Sequence, residues 1–425
     1  MNGHRLTRLE TGLRVITVPF TTTKTVSALL FVKTGGHNES KELSGLSHYL
    51  EHLFFKGSKK YPDPYTISVL LDSIGGDYNA FTADEYTGFY IKVAADKLGV
   101  GLGVMSDFLH NPLFTPAEIE REKGVILEEL HMYYDTPQRQ VVENFEHAIY
   151  GDQPAGRDVG GSVGSVAAIT RDDVLSYFKK QYRVEDMVLV FAGNLEYEEG
   201  VALAKKYFSN IPQGAAEPKR PVTYPSVGAP LVELEHRTTD QTHMALGFRG
   251  VSLRDERRFA LSVLAVVLGS GMSSRLFMEV REKRALAYQV NMTNQSGTDY
   301  GHTWVASGIA NAKLEEAVEV IIGELHRIKE ELVDKDELQK AKNIIEGHTY
   351  IALEESDAVA AHWGEQELLL GEAKSPEEHL DNIRAVTARD VQNVANEIFL
   401  KEEVRLALIG PYKNEAKLHK ILSQL

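Results

Sequence analysis

The chain has 425 residues, 43% apolar and 25% charged, with a net charge of −15 and no cysteine. That length exceeds one ordinary domain and allows two sizeable cores. The negative charge argues against nucleic acid or an anionic membrane as partner and only weakly for basic peptides, while the lack of cysteine excludes disulfides and thiolate metal sites, so any metal must sit on His, Asp or Glu.

The first segment, Met1 to Phe20, has no basic region followed by an apolar run, so no secretory signal is expected. No stretch of 18 or more apolar residues is present to span a membrane. A cytoplasmic protein is the expectation. Strands are predicted at Arg14–Val18, Val26–Lys33 and Phe89–Val93, and helices at Tyr65–Ile74, Lys97–His110 and Pro116–Met132.

Between the second strand and the first of these helices stands His48-Tyr49-Leu50-Glu51-His52. On a helix, His48 and His52 are four apart and share one face, so two neutral imidazoles can hold one Zn²⁺. Glu51 lies beside the same metal, where it can take a proton from a water activated there. The order H-x-x-E-H is the inverzincin signature. With 15 His and 61 acidic residues in 425, the chance expectation for His-x-x-acid-His is below about 0.1. The bland alternative is an amphipathic helix with two surface histidines.

Hydrolytic zinc usually takes three protein ligands and keeps a fourth position for water. The segment Thr115–Asp135 offers the third: Thr115 is an N-cap, Pro116 the first helical position, and acids crowd the first turn. Glu122 and Glu129 are two turns apart on one face, Glu128 is about 100° away, and His131 about 160°. Spacing leaves Glu122, Glu128, Glu129 and His131 all open.

Farther on, Ala168–Gly193 aligns without gaps to Ala385–Gly410, an offset of 217 residues from 168 to 385. Each copy reads as a Thr N-cap (Thr170, Thr387), a helix with an Asp in its first turn (Asp173, Asp390), then a short apolar strand closed by Gly. A looser pair, Phe89–Leu98 and Thr303–Leu314, runs from strand into helix. Residues 213–230, rich in Pro and Gly, read as a linker. The chain is therefore expected to be α+β, a tandem duplication of two homologous α/β sandwich domains, 1–212 and 231–425, each a mainly antiparallel sheet packed by helices. In the second half, strands are predicted at Leu231–Glu235 and Met244–Phe248, and the region around Arg249–Arg257, taken as equivalent to the motif, has no His. The Gly269-Ser270-Gly271 turn lacks the Lys-Ser/Thr of a P-loop and reads as a helix-entry loop.

H-x-x-E-H, a Glu 77 residues after the second His, HLFFKGSKKYP (His52–Pro62) and the duplicated unit together resemble the pitrilysin/insulinase family of zinc metallopeptidases. The similarity is to its short bacterial branch, akin to the catalytic subunit of the mitochondrial processing peptidase, and covers Leu6 to about Tyr412. The resemblance implies one zinc per chain on His48, His52 and Glu129, with Glu51 as general base and Glu122 orienting a ligand His through its free N–H. DYNAFTADEYTGFY (Asp77–Tyr90) is similar to the family's N-A-x-T strand, which implies that Asn79, Ala80 and Phe81 hold an extended peptide by adding a main-chain ladder. Arg281 and Tyr288 match the family's Arg…Tyr pair, donors to a substrate carbonyl or its oxyanion.

By the same resemblance, two chains close like a clamshell, so a zinc-dependent endopeptidase working as a homodimer is expected, with Arg281 and Tyr288 serving the partner's zinc. The alternatives are an active subunit needing a zinc-free homologue, a non-catalytic structural subunit, and a zinc hydrolase of a non-peptide substrate.

Overall fold

In the computed structural model, which describes residues 3–20, 22–225 and 229–425, the β-rich runs become strands and the amphipathic runs helices. Of the expected linker, Ser226–Gly228 lie outside the described residues. In chain order the first half holds β1 (Arg5–Arg8), β2 (Arg14–Pro19), β3 (Thr25–Val32), α1 (Leu46–Phe54), α2 (Pro64–Ser73), β4 (Asp77–Thr82), β5 (Thr87–Ala94), α3 (Leu98–His110), α4 (Pro116–Tyr134), α5 (Pro137–Tyr150), α6 (Val163–Ala168), α7 (Arg171–Gln181), β6 (Met187–Gly193) and α8 (Tyr197–Phe208). The second holds β7 (Leu231–His236), β8 (Gln241–Arg249), α9 (Arg257–Gly269), β9 (Ala287–Ser296), β10 (Gly301–Ala310), α10 (Leu314–Glu330), α11 (Lys335–Ala352), α12 (Ser356–Leu370), α13 (Pro376–Ala385), α14 (Ala388–Ile398), β11 (Arg405–Gly410) and α15 (Glu415–Leu422).

Two sheets form, ordered β1-β2-β6-β3-β5-β4 and β7-β11-β8-β10-β9. Among the described residues only β2·β6 and β7·β11 are parallel; the other pairs are antiparallel. From β2 onward the orders correspond strand for strand, and so do the helices, except that α2's place is taken by the π-helical stretch Phe277–Glu282. The capping boxes Thr170/Asp173 on α7 and Thr387/Asp390 on α14 both form. The fold is the expected pair of α+β sandwiches. One detail shifts. The helix in α1's topological place is α9, RRFALSVLAVVLG, farther along than Arg249–Arg257, and it carries neither His nor acid. Gly269 ends α9, and the turn that it begins leads, as expected, into the helical stretch 275–282. It is a glycine because a Cβ there would lie 2.2 Å from the backbone N of Met292.

The compact units cut across the sequence halves. The first comprises the chain from its N-terminus to Leu130, Asp158–Arg220 and Tyr350–Pro376; the second comprises His131–Arg157, Pro221–Thr349 and Glu377–Leu425. The reason is visible in the central strands. TVSALLFV in β3 and MVLVFAG in β6 are buried almost throughout, with no polar face to give to water. Such strands need cover on both sides. On one side of the first sheet lie α1 and α3; on the other lies α12, close enough that a Cβ on Gly364 would meet the Phe31 ring at 2.3 Å. Reciprocally, α5 covers β8 and β11 of the second sheet through Val141, Phe145 and Ile149. Each unit thus takes one helix from the other half of the sequence.

Candidate metal centre

The site begins with how α1 is held. Its N-terminal amides are capped by the buried Glu39 carboxylate, which accepts from Gly45 N at 2.6 Å and Ser47 N at 2.5 Å. An anion there complements the positive end of the helix. Gly45 adopts φ 94°, and a Cβ would lie 2.4 Å from the carbonyl oxygen of Gly160, so only glycine fits. Tyr49 and Leu50, between His48 and Glu51, are fully buried, and the Tyr49 hydroxyl donates to the Ile119 carbonyl on α4. The apolar face thereby fixes α1 against α4 and turns His48 and His52 to one side.

There the two Nε2 atoms approach the same oxygen, Oε2 of Glu129, at 3.7 Å from His48 and 3.5 Å from His52. These separations exceed the roughly 2.7–3.2 Å of an N–H···O bond. They match the edge of a tetrahedron whose bonds are about 2.0–2.1 Å long, which is about 3.4 Å. All three donors lie within 4.8 Å of one another. Of the four side chains that spacing left open, Glu129 is the one in this cluster among the described residues; Glu128 and His131 are exposed. Glu122 is 1% exposed and instead places Oε1 2.8 Å from His52 Nδ1. A donor set of two imidazoles and a carboxylate without thiolate suits Zn²⁺.

Glu51 is 9% exposed and its Oε2 accepts from the Thr82 hydroxyl of β4 at 2.6 Å. Burial pushes its carboxyl above the usual range, and Glu129 adds to the rise, against the pull of Thr82 and His52. Burial of His52 would lower its imidazole, but the Glu122 hydrogen bond and the charges of Glu51, Glu122 and Glu129 outweigh it and hold it above its ordinary value. The surroundings therefore favour positive charge, a requirement a bound cation meets.

The other expected residues fall as follows. Asn79, Ala80 and Phe81 lie on β4, the edge strand, which pairs only with β5 among the described residues. Asn79 is exposed and its Oδ1 accepts from Ala80 N at 2.9 Å, a contact that a strand adding there would displace. Ala80 is 8% exposed. The Phe81 ring lies over Gly88, where a Cβ would be 2.3 Å from it. In the second unit Arg281 sits on a π-helical turn, Phe277–Glu282. Its guanidinium is 4.4 Å from the Tyr288 ring centre and 4.7 Å from that of Phe277, and its Nη1 donates to the Tyr288 carbonyl at 2.9 Å. The pair is preassembled, with Tyr288 70% exposed.

The contacts of Glu39, Thr82 and Lys56 escaped the sequence reading, although Thr82 and Lys56 lie in the two stretches quoted for the resemblance; their partners lie at separations with no helical or strand period.

Residues 14–162 match the family model described as Insulinase (Peptidase family M16), and residues 168–345 match that described as Peptidase M16 inactive domain. The chain is 36% identical over 424 residues to an uncharacterised zinc protease of Streptomyces coelicolor, covering 98% of this chain and 92% of that one. It is 32% identical over 409 residues to the uncharacterised zinc protease YmxG of Bacillus subtilis, covering 95% and 98%. Among solved structures, a protease from Helicobacter pylori aligns at TM-score 0.91 and 23% identity, covering 96% of this chain and 100% of that one. A chain of Complex III2 from Candida albicans aligns at 0.84 and 17%, covering 98% and 99%. Likeness at these identities shows the fold. No helix among the described residues is long and apolar enough to cross a membrane.

Proposed function

The chain belongs to the M16 insulinase family of peptidases, and from that we propose that it is a zinc-dependent endopeptidase with one zinc per chain on His48, His52 and Glu129. The observation that carries this is the two imidazoles and Glu129 facing one point, with Glu51 beside them and fixed by Thr82. Zinc bound there supplies Lewis acidity toward the scissile carbonyl and toward water.

The chain's own residues supply the rest. Thr82 holds Oε2 of Glu51 and leaves the other oxygen to receive the proton of the attacking water. The raised carboxyl makes Glu51 a stronger base than an exposed glutamate and able to return that proton to the leaving amine. Glu122 accepts from His52 Nδ1–H and so directs Nε2 to the metal. The main chain of β4 at Asn79, Ala80 and Phe81 binds the extended peptide. Arg281 and Tyr288 donate to the developing oxyanion.

The working form is a homodimer whose clamshell limits substrates to peptides or unfolded segments, with Arg281 and Tyr288 acting on the partner's site. One chain carries both the metal residues and the Arg–Tyr pair, which favours a homodimer over an obligate pair with a zinc-free homologue. Zero cysteine accords with a cytoplasmic setting.

The test compares wild type with Glu51→Gln for zinc content and for cleavage of a mixed peptide library. The variant should keep its zinc and lose about 10²–10⁴-fold in turnover; undiminished cleavage would rule out Glu51 as base. Glu129→Gln should lower zinc content, and unchanged content would exclude it as ligand.

A further inference from the structure

Lys56 follows α1 by two residues, and its ammonium lies 2.9 Å from Oε2 of Glu122, whose Oε1 lies 2.8 Å from Nδ1 of His52. One carboxylate, 1% exposed, thus has one oxygen on a lysine and the other on an imidazole. We propose that Lys56 is a positioning residue for metal binding: by holding Oε2 it turns Glu122 so that Oε1 accepts the Nδ1–H of His52, leaving Nε2 as a donor toward the point it shares with Glu129. This rests on the reading of His52 as a zinc ligand.

The argument is geometric. A carboxylate held at one oxygen can swing about its side-chain bond. Charge-assisted hydrogen bonds on both oxygens fix its plane and, through it, the ring it contacts. Partners that orient a ligand histidine commonly matter by about 10–100-fold in metal affinity. A buried carboxylate deprived of its cation also keeps a charge that the remaining contact matches incompletely.

A second effect opposes this. A lysine near a metal site repels the cation, so a lysine acting only through its charge would weaken binding, and its loss would tighten it. The Lys56 side chain is 27% exposed, so solvent screens that repulsion, whereas the Glu122 side chain is 2% exposed and its contacts are not screened. Orientation should prevail, and the sign of the change separates the two.

The experiment loads metal-free full-length protein with Zn²⁺ in competition with a chromophoric chelator. Lys56→Met should weaken zinc binding about 10-fold or more, and Glu122→Gln similarly. In the Glu122→Gln background, Lys56→Met should add less than about twofold, because the lysine acts through that carboxylate. Lys56→Arg, which keeps a cationic donor, should recover affinity to within about threefold of wild type. Circular dichroism of the metal-free proteins checks that each variant is folded.

Lys56→Met binding zinc as tightly as wild type, or more tightly, overturns the proposal. So does Lys56→Arg binding as weakly as Lys56→Met, or a full effect of Lys56→Met in the Glu122→Gln background. The underlying reading fails separately: wild type taking up no zinc, or His48→Ala binding it as wild type does, removes the metal site itself and Lys56's role with it.

Discussion

At Glu51 one hydrogen bond decides which oxygen is available. The Thr82 hydroxyl occupies Oε2 and ties the proposed base to the strand proposed to carry substrate. Hydrogen bonds to charged groups are worth about 1.5–3 kcal/mol. Thr82→Val should therefore lower kcat about 10–100-fold with zinc content and KM little changed, and Thr82→Ser should restore most of it. An equal loss in Thr82→Ser would show that the methyl's packing, and not the hydroxyl, matters. His48, Glu51 and His52 were legible because a helix turns four-residue spacing into proximity. Glu129 was not separable from Glu122, Glu128 and His131, because that choice depends on how α4 is rotated against α1. The Tyr49 hydroxyl on Ile119 helps fix that rotation, and it is a contact across 70 residues of chain.

Among the elements, α12 shows where pattern reading ends. SDAVAAHWGEQELLL is apolar on several sides, which marks a buried helix but not the sheet it covers. In the first unit it is anchored by polar contacts: Glu367 accepts from the Arg14 guanidinium, Ser356 bonds Ser27, and Glu365 meets the Tyr86 hydroxyl. Burial pushes the Glu365 carboxyl above the usual carboxylate range, more than the Tyr86 hydrogen bond lowers it. The fold thus favours the neutral acid. Its stabilisation is fully present below the ordinary carboxylate range and is lost as pH rises through the raised value. Glu365→Gln, neutral at every pH, should raise Tm at pH 8 by about 2–4 °C and change it little near pH 4. A thermal scan at both pH values checks this; an equal change at both would mean packing and not charge. The strands and capping boxes of the repeat were legible, since Thr–x–x–Asp caps and short apolar runs closed by Gly are local signals.

For the molecule as a whole, the duplication has left a cluster that could hold a metal in one unit and the pair of half-buried Arg281 and exposed Tyr288 in the other. α9 stands where α1 stands but, after two arginines, is apolar except for Ser262. If Arg281 and Tyr288 act across a homodimer, two defects in different chains should complement. Glu51→Gln lacks the base and Arg281→Ala the donor, so a mixed dimer keeps one site with both. Random exchange of subunits puts half the chains' partners in the mixed form, so about a quarter of wild-type activity should return on mixing two inactive variants. No recovery after verified subunit exchange would place the pair's action within its own chain.

The reciprocal helices also set a timetable for synthesis. A ribosome that has finished residue 212 has made all six strands of the first sheet, yet the helix that seals the Phe31 face of that sheet ends at Leu370. Roughly 160 more residues must be translated, which at about 5–20 residues per second takes on the order of 8–30 s. Through that interval a finished sheet waits with one face uncovered, as α5 waits for its own sheet to be made. The nascent chain is therefore most vulnerable to aggregation in mid-synthesis, and a message truncated at the linker encodes a protein that cannot close its first core.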